Sequence, residues 1–153
     1  MSLETRLNYI LKTGLLKKLE PQKINILSIG VEAPGELLAV ANYFNIEKTA
    51  ITFQGYFKPF MDEAEGLGLN CTFLCKKKYD LVIIAIPSDK KEALGLISRS
   101  LKNIKEGGYL ICDGFKTRGI DSIIKKLKFL NYKKVSKAHG KIILAEKPLK
   151  IPK

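Results

Sequence analysis

The feature that most restricts the fold of this chain is an unbroken apolar stretch, DLVIIAI, at residues 80–86. It ends at Pro87 and has the length of a strand rather than of a buried helix. A strand without polar alternation is covered on both faces, as in parallel sheets. We therefore expect a fold in which helices pack on both sides of a sheet, which is the α/β class.

The rest of the chain alternates between strand and helix patterns. Strands are predicted at residues 24–29, 49–53, 70–74, 80–86 and 109–112, and helices at 34–44, 57–67, 89–103 and 119–130. Two more strands, at 133–138 and 141–146, are separated by His139-Gly140, which is typical of a hairpin. This order predicts three layers around a seven-strand, mostly parallel sheet closed by an antiparallel hairpin.

An extra amphipathic helix precedes the alternating units. Apolar residues recur every three to four positions over residues 3–19, and Pro21 is expected to end the helix. The length of 153 residues suits one domain. We therefore predict an N-terminal helix, residues 1–20, packed on a single domain formed by residues 21–153.

Features of export and of membrane proteins are missing from the sequence. No apolar run approaches the roughly 20 residues that cross a bilayer, and the N-terminus lacks an apolar region followed by a cleavage site. The three cysteines are too few for a disulfide scaffold. We expect a reduced, cytoplasmic protein with no membrane partner.

The charge is strongly positive and uneven. The formal net charge is +12, and residues 76–153 carry all of the excess. A one-sided basic field attracts polyanions, with nucleic acid as the usual one. However, the basic residues are nearly all lysine, a composition that simple solvation also explains, so charge alone leaves both interpretations open.

A glycine-bearing turn joins the first strand to the next helix, in the segment ILSIGVEAPGELLAVANYF. Such turns let a backbone approach an anionic or nucleotide ligand. With YDLVIIAIP, LKNIKEGGYLICDGF and the hairpin, the chain resembles the class I S-adenosylmethionine-dependent methyltransferases, which implies a Rossmann-like methyltransferase fold. The resemblance implies these cofactor-binding positions: Gly30, Glu32 and Gly35 for the methionine end, Gln54 for the ribose, and Pro87 and Ser88 facing the acceptor.

Three family motifs are altered in this chain. The first motif, an acidic residue followed by G-x-G-x-G, keeps only Gly30 and Gly35. Gln54 stands where an acidic residue usually holds the ribose. After the fourth strand, residues 85–88 read AIPS in place of the (N/D)-P-P-(F/Y) signature of enzymes that methylate base amines. We therefore assign no catalytic residue.

A closer resemblance is to the N-terminal domain of the tandem-domain 16S ribosomal RNA guanine-N2 methyltransferases. It rests on IAIPSDKKEALGLISRSLKNIKEGGYLICDGFKTRGIDSIIKKL and KVSKAHGKIIL. In that family this copy has lost its cofactor and assists RNA binding and folding of the catalytic copy. The resemblance implies a degenerate, cofactor-free module that binds ribosomal RNA or assists a methylating partner. The alternatives are an active S-adenosylmethionine-dependent RNA methyltransferase with divergent motifs, and a homodimer.

Candidate RNA-binding residues lie in two basic segments. They are Lys76, Lys77 and Lys78 before the fourth strand, and Lys116 and Arg118 in the turn after the fifth. Lysines at 125, 126, 128, 133 and 134 form either a second backbone-binding face or a solvated one.

The other reactive and aromatic side chains favour structural roles. Tyr56, Phe57 and Phe60 are expected to pack in the core rather than stack on bases. His139 has no assignable nucleophile. Cys71 and Cys75 lack a second ligand pair, so no metal site is predicted, and Cys112 is expected to pack within its strand.

Overall fold

The computed structural model describes residues 2–14, 16, 24–55, 57–72, 77–115, 119–127, 130, 132–137 and 140–148. The strands are β1 (Ile26–Ile29), β2 (Ile51–Gln54), β3 (Asn70–Thr72), β4 (Tyr79–Ala85), β5 (Ile104–Phe115), β6 (Tyr132–Lys137) and β7 (Gly140–Glu146). The α-helices are α1 (Ser2–Lys12), α2 (Leu38–Phe44), α3 (Lys58–Gly66), α4 (Lys90–Leu101) and α5 (Ile120–Lys126).

The strands form one sheet in the order β3-β2-β1-β4-β5-β7-β6. Strands β1 to β5 are parallel, whereas β7 runs antiparallel to both β5 and β6. This confirms the predicted seven-strand, mostly parallel sheet closed by an antiparallel pair.

Two apolar layers cover the sheet. On one face, sheet residues such as Ile26 and Ile83 pack with α1, α2 and α3. On the other, neighbours such as Leu27 and Val82 pack with α4 and α5. Residues 81–84 of β4 are fully buried, as the sequence predicted, and each such apolar side chain contributes about 1.5–3 kcal/mol.

Helix α1 is shorter than predicted. The expected helix over residues 3–19 ends at Lys12, and Thr13 beyond it donates its hydroxyl to the carbonyl oxygen of Ile10 at 2.7 Å. Gly14 follows in the left-handed conformation, with φ at +75°, which is a frequent helix stop. The apolar stripe nevertheless reaches the core, where Leu7 is fully buried.

Strand β5 is longer than predicted and contains an irregularity. Tyr79 of β4 pairs with Ile104, but Leu81 pairs with Tyr109, so β5 holds the extra residues of a bulge. Gly107 has φ at +78°, and a Cβ on Gly108 would stand 2.6 Å from the Cγ2 of Ile104. The predicted strand began only at residue 109, after this glycine pair, whereas the pair lies inside β5.

The segment that follows β1 also differs from its prediction. In place of one helix over residues 34–44, the turn Pro34–Leu37 is 3₁₀ and leads into α2. Helix α4 is capped by Asp89, whose carboxylate accepts a hydrogen bond from the amide of Glu92 at 2.9 Å.

Candidate functional site

A cleft of about 590 Å³ opens at the carboxyl ends of β1, β2 and β4. Between β1 and β4 the strand order reverses direction, since β2 and β3 lie to one side of β1 and the later strands to the other. Open α/β sheets bind ligands at this switch point. The volume lies within the range of small-molecule sites.

The turn after β1 forms the centre of the cleft. Gly30 has φ at +77°, and a Cβ there would stand 2.9 Å from the carbonyl oxygen of Ala85. Only glycine meets both conditions without strain. The backbone of this turn therefore lies directly against the end of β4, and Gly30 lines the cleft.

The structure brings most of the predicted cofactor residues together. The cleft is lined by Gly30, Glu32, Gln54, Pro87 and Ser88. Gly35 is exposed and does not line it, and the atom nearest to a Cβ there is the Cδ1 of Leu67 at 4.0 Å. The ligand-binding roles of these residues stay predictions.

One wall of the cleft was not found from the sequence. Glu92, Leu96 and Arg99 of α4 line it, and their spacing of four and three residues places them on one helix face. That spacing was the available signal. The spacing was not recognised as a site because the buried face of α4, with Ala93 and Ile97, already explains the apolar periodicity of this helix.

The aromatic residues after β2 also line the cleft. Phe57 and Phe60 meet edge to face, with ring centroids 4.7 Å apart. Phe57 is 56% exposed, so its predicted core position was wrong, whereas Phe60 packs partly against the core. The connection between β2 and α3 is short, and it holds the ring of Phe57 at the cleft rather than in the apolar layer. Tyr56 lies outside the described residues.

The charge of the cleft does not favour a polyanion. Its charged lining residues are Glu32, Glu92 and Arg99, two acidic and one basic. Gln54, the polar residue at the end of β2, is only 8% exposed. A small, largely apolar ligand with few polar groups suits this lining better than a phosphate chain does.

The predicted RNA-binding residues are not gathered at the cleft. Lys77 and Lys78 are exposed and precede β4, so they lie at the amino-terminal edge of the parallel strands, opposite the cleft. Lys76, Lys116 and Arg118 lie outside the described residues.

The cysteines of the described chain are free and differ in burial. Cys112 is fully buried in β5, as predicted, and burial raises the pKa of its thiol. Burial and then the charge of Glu65 raise the pKa of Cys71. Cys75 and His139 lie outside the described residues.

Neither a metal cluster nor a membrane span is found in the part of the chain that the structure describes. Within it, no group of three or more His, Cys, Asp or Glu side chains is placed to hold a metal ion. Over the same residues, every helix is too short or too polar to cross a bilayer.

Comparisons with known proteins identify the fold. No family model and no curated protein matches the sequence. Among solved structures, the chain is similar to a 16S rRNA N2 methyltransferase of T. thermophilus in complex with AdoMet and guanosine, with a TM-score of 0.68 and 16% identity. That match covers 90% of this chain but 40% of the other, so this chain spans less than half of that enzyme's length.

Two further structures match over most of their own length. A methyltransferase from Pyrococcus furiosus gives a TM-score of 0.65 at 15% identity, covering 93% of this chain and 82% of that one. An rRNA methylase from Streptococcus thermophilus gives 0.59 at 11% identity, covering 83% and 90%. The chain thus has the fold of the class I S-adenosylmethionine-dependent methyltransferases. More particularly, the structures that share this fold include RNA-methylating enzymes.

The cleft residues fit S-adenosylmethionine incompletely. The room and the glycine turn suit a nucleoside, but Gln54 offers one acceptor oxygen where a carboxylate offers two to a ribose. Between Ala85 and Ser88, the side chain of Ile86 is buried in the core. The side chains of that segment therefore contribute a single hydroxyl to the acceptor side, with neither a side-chain amide nor an aromatic ring.

Proposed function

We propose that this chain is a methyltransferase-like module that has lost methyl transfer and acts by binding RNA, with ribosomal RNA as the class of target. It would serve a methylating partner rather than carry out the reaction. The fold supports the methyltransferase-like class of the module, and the similarity to rRNA-methylating enzymes supports the class of target.

The observation that carries the loss of activity is the chemistry of the segment after β4. The amide of Ile86 donates to the carbonyl oxygen of Asp113 at 2.8 Å, which ties this segment to β5. Pro87 has no amide hydrogen, and the hydroxyl of Ser88 is the one polar side-chain group that the segment offers to the cleft. An exocyclic amine held for attack needs acceptors and a stacking ring, and the side chains of this segment supply one hydroxyl acceptor and no ring.

A second function is favoured by the open cleft. Because Gly30 keeps the left-handed turn after β1 and the cleft has a volume of about 590 Å³, a nucleoside ligand has room beside Gln54. On this alternative, the chain is an active S-adenosylmethionine-dependent RNA methyltransferase with divergent motifs. Bound there, S-adenosylmethionine would supply the activated methyl group.

Calorimetric titration with S-adenosylmethionine and S-adenosylhomocysteine distinguishes the two functions. The proposal predicts no binding tighter than about 100 μM, which corresponds to roughly −5.5 kcal/mol. A parallel assay follows transfer of a labelled methyl group to ribosomal RNA. Tight binding together with label transfer would establish the enzyme and reject the proposed loss of activity.

Two variants of Gln54 add a control. Gln54→Glu keeps the side-chain length and restores the carboxylate, whereas Gln54→Leu removes the polar group. If the missing carboxylate is what weakens cofactor binding, the glutamate variant should bind at least tenfold more tightly than both the wild type and the leucine variant. Equal binding by all three proteins would show that this position does not limit the affinity.

A further inference from the structure

Exposed lysines collect at the edge of the sheet that lies opposite the cleft. We call this the amino-edge surface and define it by Lys77, Lys78, Lys102, Lys133 and Lys134, all of which are exposed. They come from three segments that are distant in sequence. The fold brings them together because parallel strands place their amino ends on one edge.

The first two segments are joined by hydrogen bonds. The side-chain amide of Asn103 donates to the carbonyl oxygen of Lys77 at 2.9 Å, and the backbone amide of Tyr79 donates to the carbonyl oxygen of Asn103 at 2.6 Å. The end of α4, with Lys102, is therefore held beside the start of β4.

The third segment is the start of β6. Tyr132 pairs with Ala145, and Glu146 pairs with Tyr109, so β6 begins at the same edge at which β7 ends. Strands β4, β5, β7 and β6 are neighbours, and a spacing of about 4.8 Å per strand places β4 and β6 roughly 14 Å apart. The lysines thus span a continuous edge that is wider than one screening length in physiological salt.

The positive charge of this surface is not neutralised within the described chain. None of the five lysines forms an ion pair with a described residue. Two acidic groups at this edge have other partners, and a third, Glu106 in the bulge of β5, is exposed. Asp80 accepts from the amide of Asn25 at 2.8 Å and pairs with Lys105, and Glu146 accepts from the hydroxyl of Tyr109.

We propose that the amino-edge surface binds the phosphate backbone of RNA, on the side of the sheet opposite the cleft. This inference rests on the proposed function and specifies where that function resides. Lysine ammonium groups act as point charges toward phosphates, so binding there is salt-dependent and carries little sequence information. The cleft, with two acidic residues and one basic residue in its lining, does not compete for a polyanion.

An anionic membrane is the competing polyanion. Surface binding to lipid normally adds large apolar side chains to the basic ones. In the described chain, the large exposed apolar side chains are Tyr9 of α1 and Phe57 at the cleft, and neither belongs to the segments that carry the amino-edge surface. RNA is therefore the partner that this surface fits better.

Two triple variants with equal changes of charge test the location. Lys77→Gln/Lys78→Gln/Lys102→Gln removes three charges from the amino-edge surface. Lys12→Gln/Lys90→Gln/Lys91→Gln removes three exposed lysines elsewhere, two of them at the cleft end of α4. The affinity of the full chain for a fluorescent single-stranded RNA of about 20 nucleotides is measured between about 0.05 and 0.2 M salt. Thermal unfolding of each variant verifies that it is folded.

We expect the amino-edge variant to bind about tenfold more weakly or worse, with a salt slope flatter by about 2 since each lost contact removes about 0.7. The control variant should lose less than about threefold. Equal losses in both variants, or a larger loss in the control, would overturn the location while leaving RNA binding intact. If the wild type binds no RNA, both the location and the proposed function fail. Wild-type binding to vesicles of anionic lipid but not to RNA would overturn the inference in favour of a membrane.

Discussion

The guanidinium of Arg6 and the carboxylate of Asp113 form a buried, two-pronged ion pair across 107 positions of sequence. The Nε of Arg6 donates to Oδ1 at 2.5 Å and its Nη2 donates to Oδ2 at 2.8 Å. Arg6 is fully buried and Asp113 is 4% exposed. Burial raises the pKa of Asp113, against the opposing effect of Arg6. The pair therefore links α1 to the carboxyl end of β5.

Removing one partner of this pair should be costly. Arg6→Met leaves the carboxylate of Asp113 buried without its guanidinium, and we expect a loss of about 3–5 kcal/mol in the free energy of unfolding. The double variant Arg6→Met/Asp113→Leu removes both charges and should recover at least about 2 kcal/mol of that loss. Chemical denaturation of the single and the double variant measures the two free energies of unfolding. A single-variant loss below about 1 kcal/mol would mean that the pair behaves like a surface ion pair.

The absence of a side chain at residue 140 makes room for Arg6. A Cβ on Gly140 would stand 2.5 Å from the Nη1 of Arg6 and 2.6 Å from the carbonyl oxygen of Gly114. Gly140→Ala should therefore destabilise the protein by about 2–3 kcal/mol through overpacking. As a control, Gly66→Ala in the last turn of α3 meets nothing within 4 Å and should be neutral or stabilising by up to about 1 kcal/mol. Equal unfolding temperatures for the two variants would contradict this account.

The two glycines of the turn after β1 should respond differently to alanine. Gly30→Ala places a Cβ against the carbonyl oxygen of Ala85 in a left-handed conformation, and we expect it to cost at least about 1–2 kcal/mol. Gly35→Ala makes only an ordinary contact with Leu67 and should change stability by less than about 0.5 kcal/mol. Denaturant titration compares them. A larger effect at Gly35 would show that the turn is not held as described.

Stability should decline in alkaline solution. Burial raises the pKa of Cys112, and burial together with Glu146 raises the pKa of Tyr109, so the folded state keeps both protons. The unfolded chain releases them near the ordinary values of 9.0 and 10.0. The two groups' contribution to stability is therefore complete below pH about 9 and is lost as the pH rises above it, by up to about 1.4 kcal/mol per unit for each group.

Unfolding free energies measured at pH values from about 7 to 10.5 test this decline. Cys112→Ala lowers stability at every pH because it leaves a small cavity, but it should also flatten the slope that begins near pH 9. An unchanged slope in this variant would show that Cys112 does not contribute to it.

The layered sheet could be predicted from the sequence because its signals are local. The apolar run of residues 80–86 and each single strand or helix pattern extend over fewer than twenty residues, and burial on both faces follows directly from the apolar run. Errors occurred where a local pattern had two structural solutions. The Gly107-Gly108 pair suits either a strand opening or a bulge, and only pairing with β4 selects the bulge.

The cleft was predicted only in part, for a related reason. Residues at the carboxyl ends of strands, such as Gly30 after β1 and Gln54 at the end of β2, could be placed because parallel strand ends share one edge. The α4 wall and the exposed ring of Phe57 could not, since their positions depend on how helices pack over the sheet.

The sequence by itself determined the fold class, the order of the elements and the glycine turn at the centre of the cleft, because each depends on short-range periodicity or on backbone conformation. Only the tertiary structure decided which distant charges meet. It buries Arg6 with Asp113, and it gathers lysines from three segments at the edge opposite the cleft. The physical reason is that charge interactions act through space, and the distances across the sheet are set by strand order and not by separation along the chain.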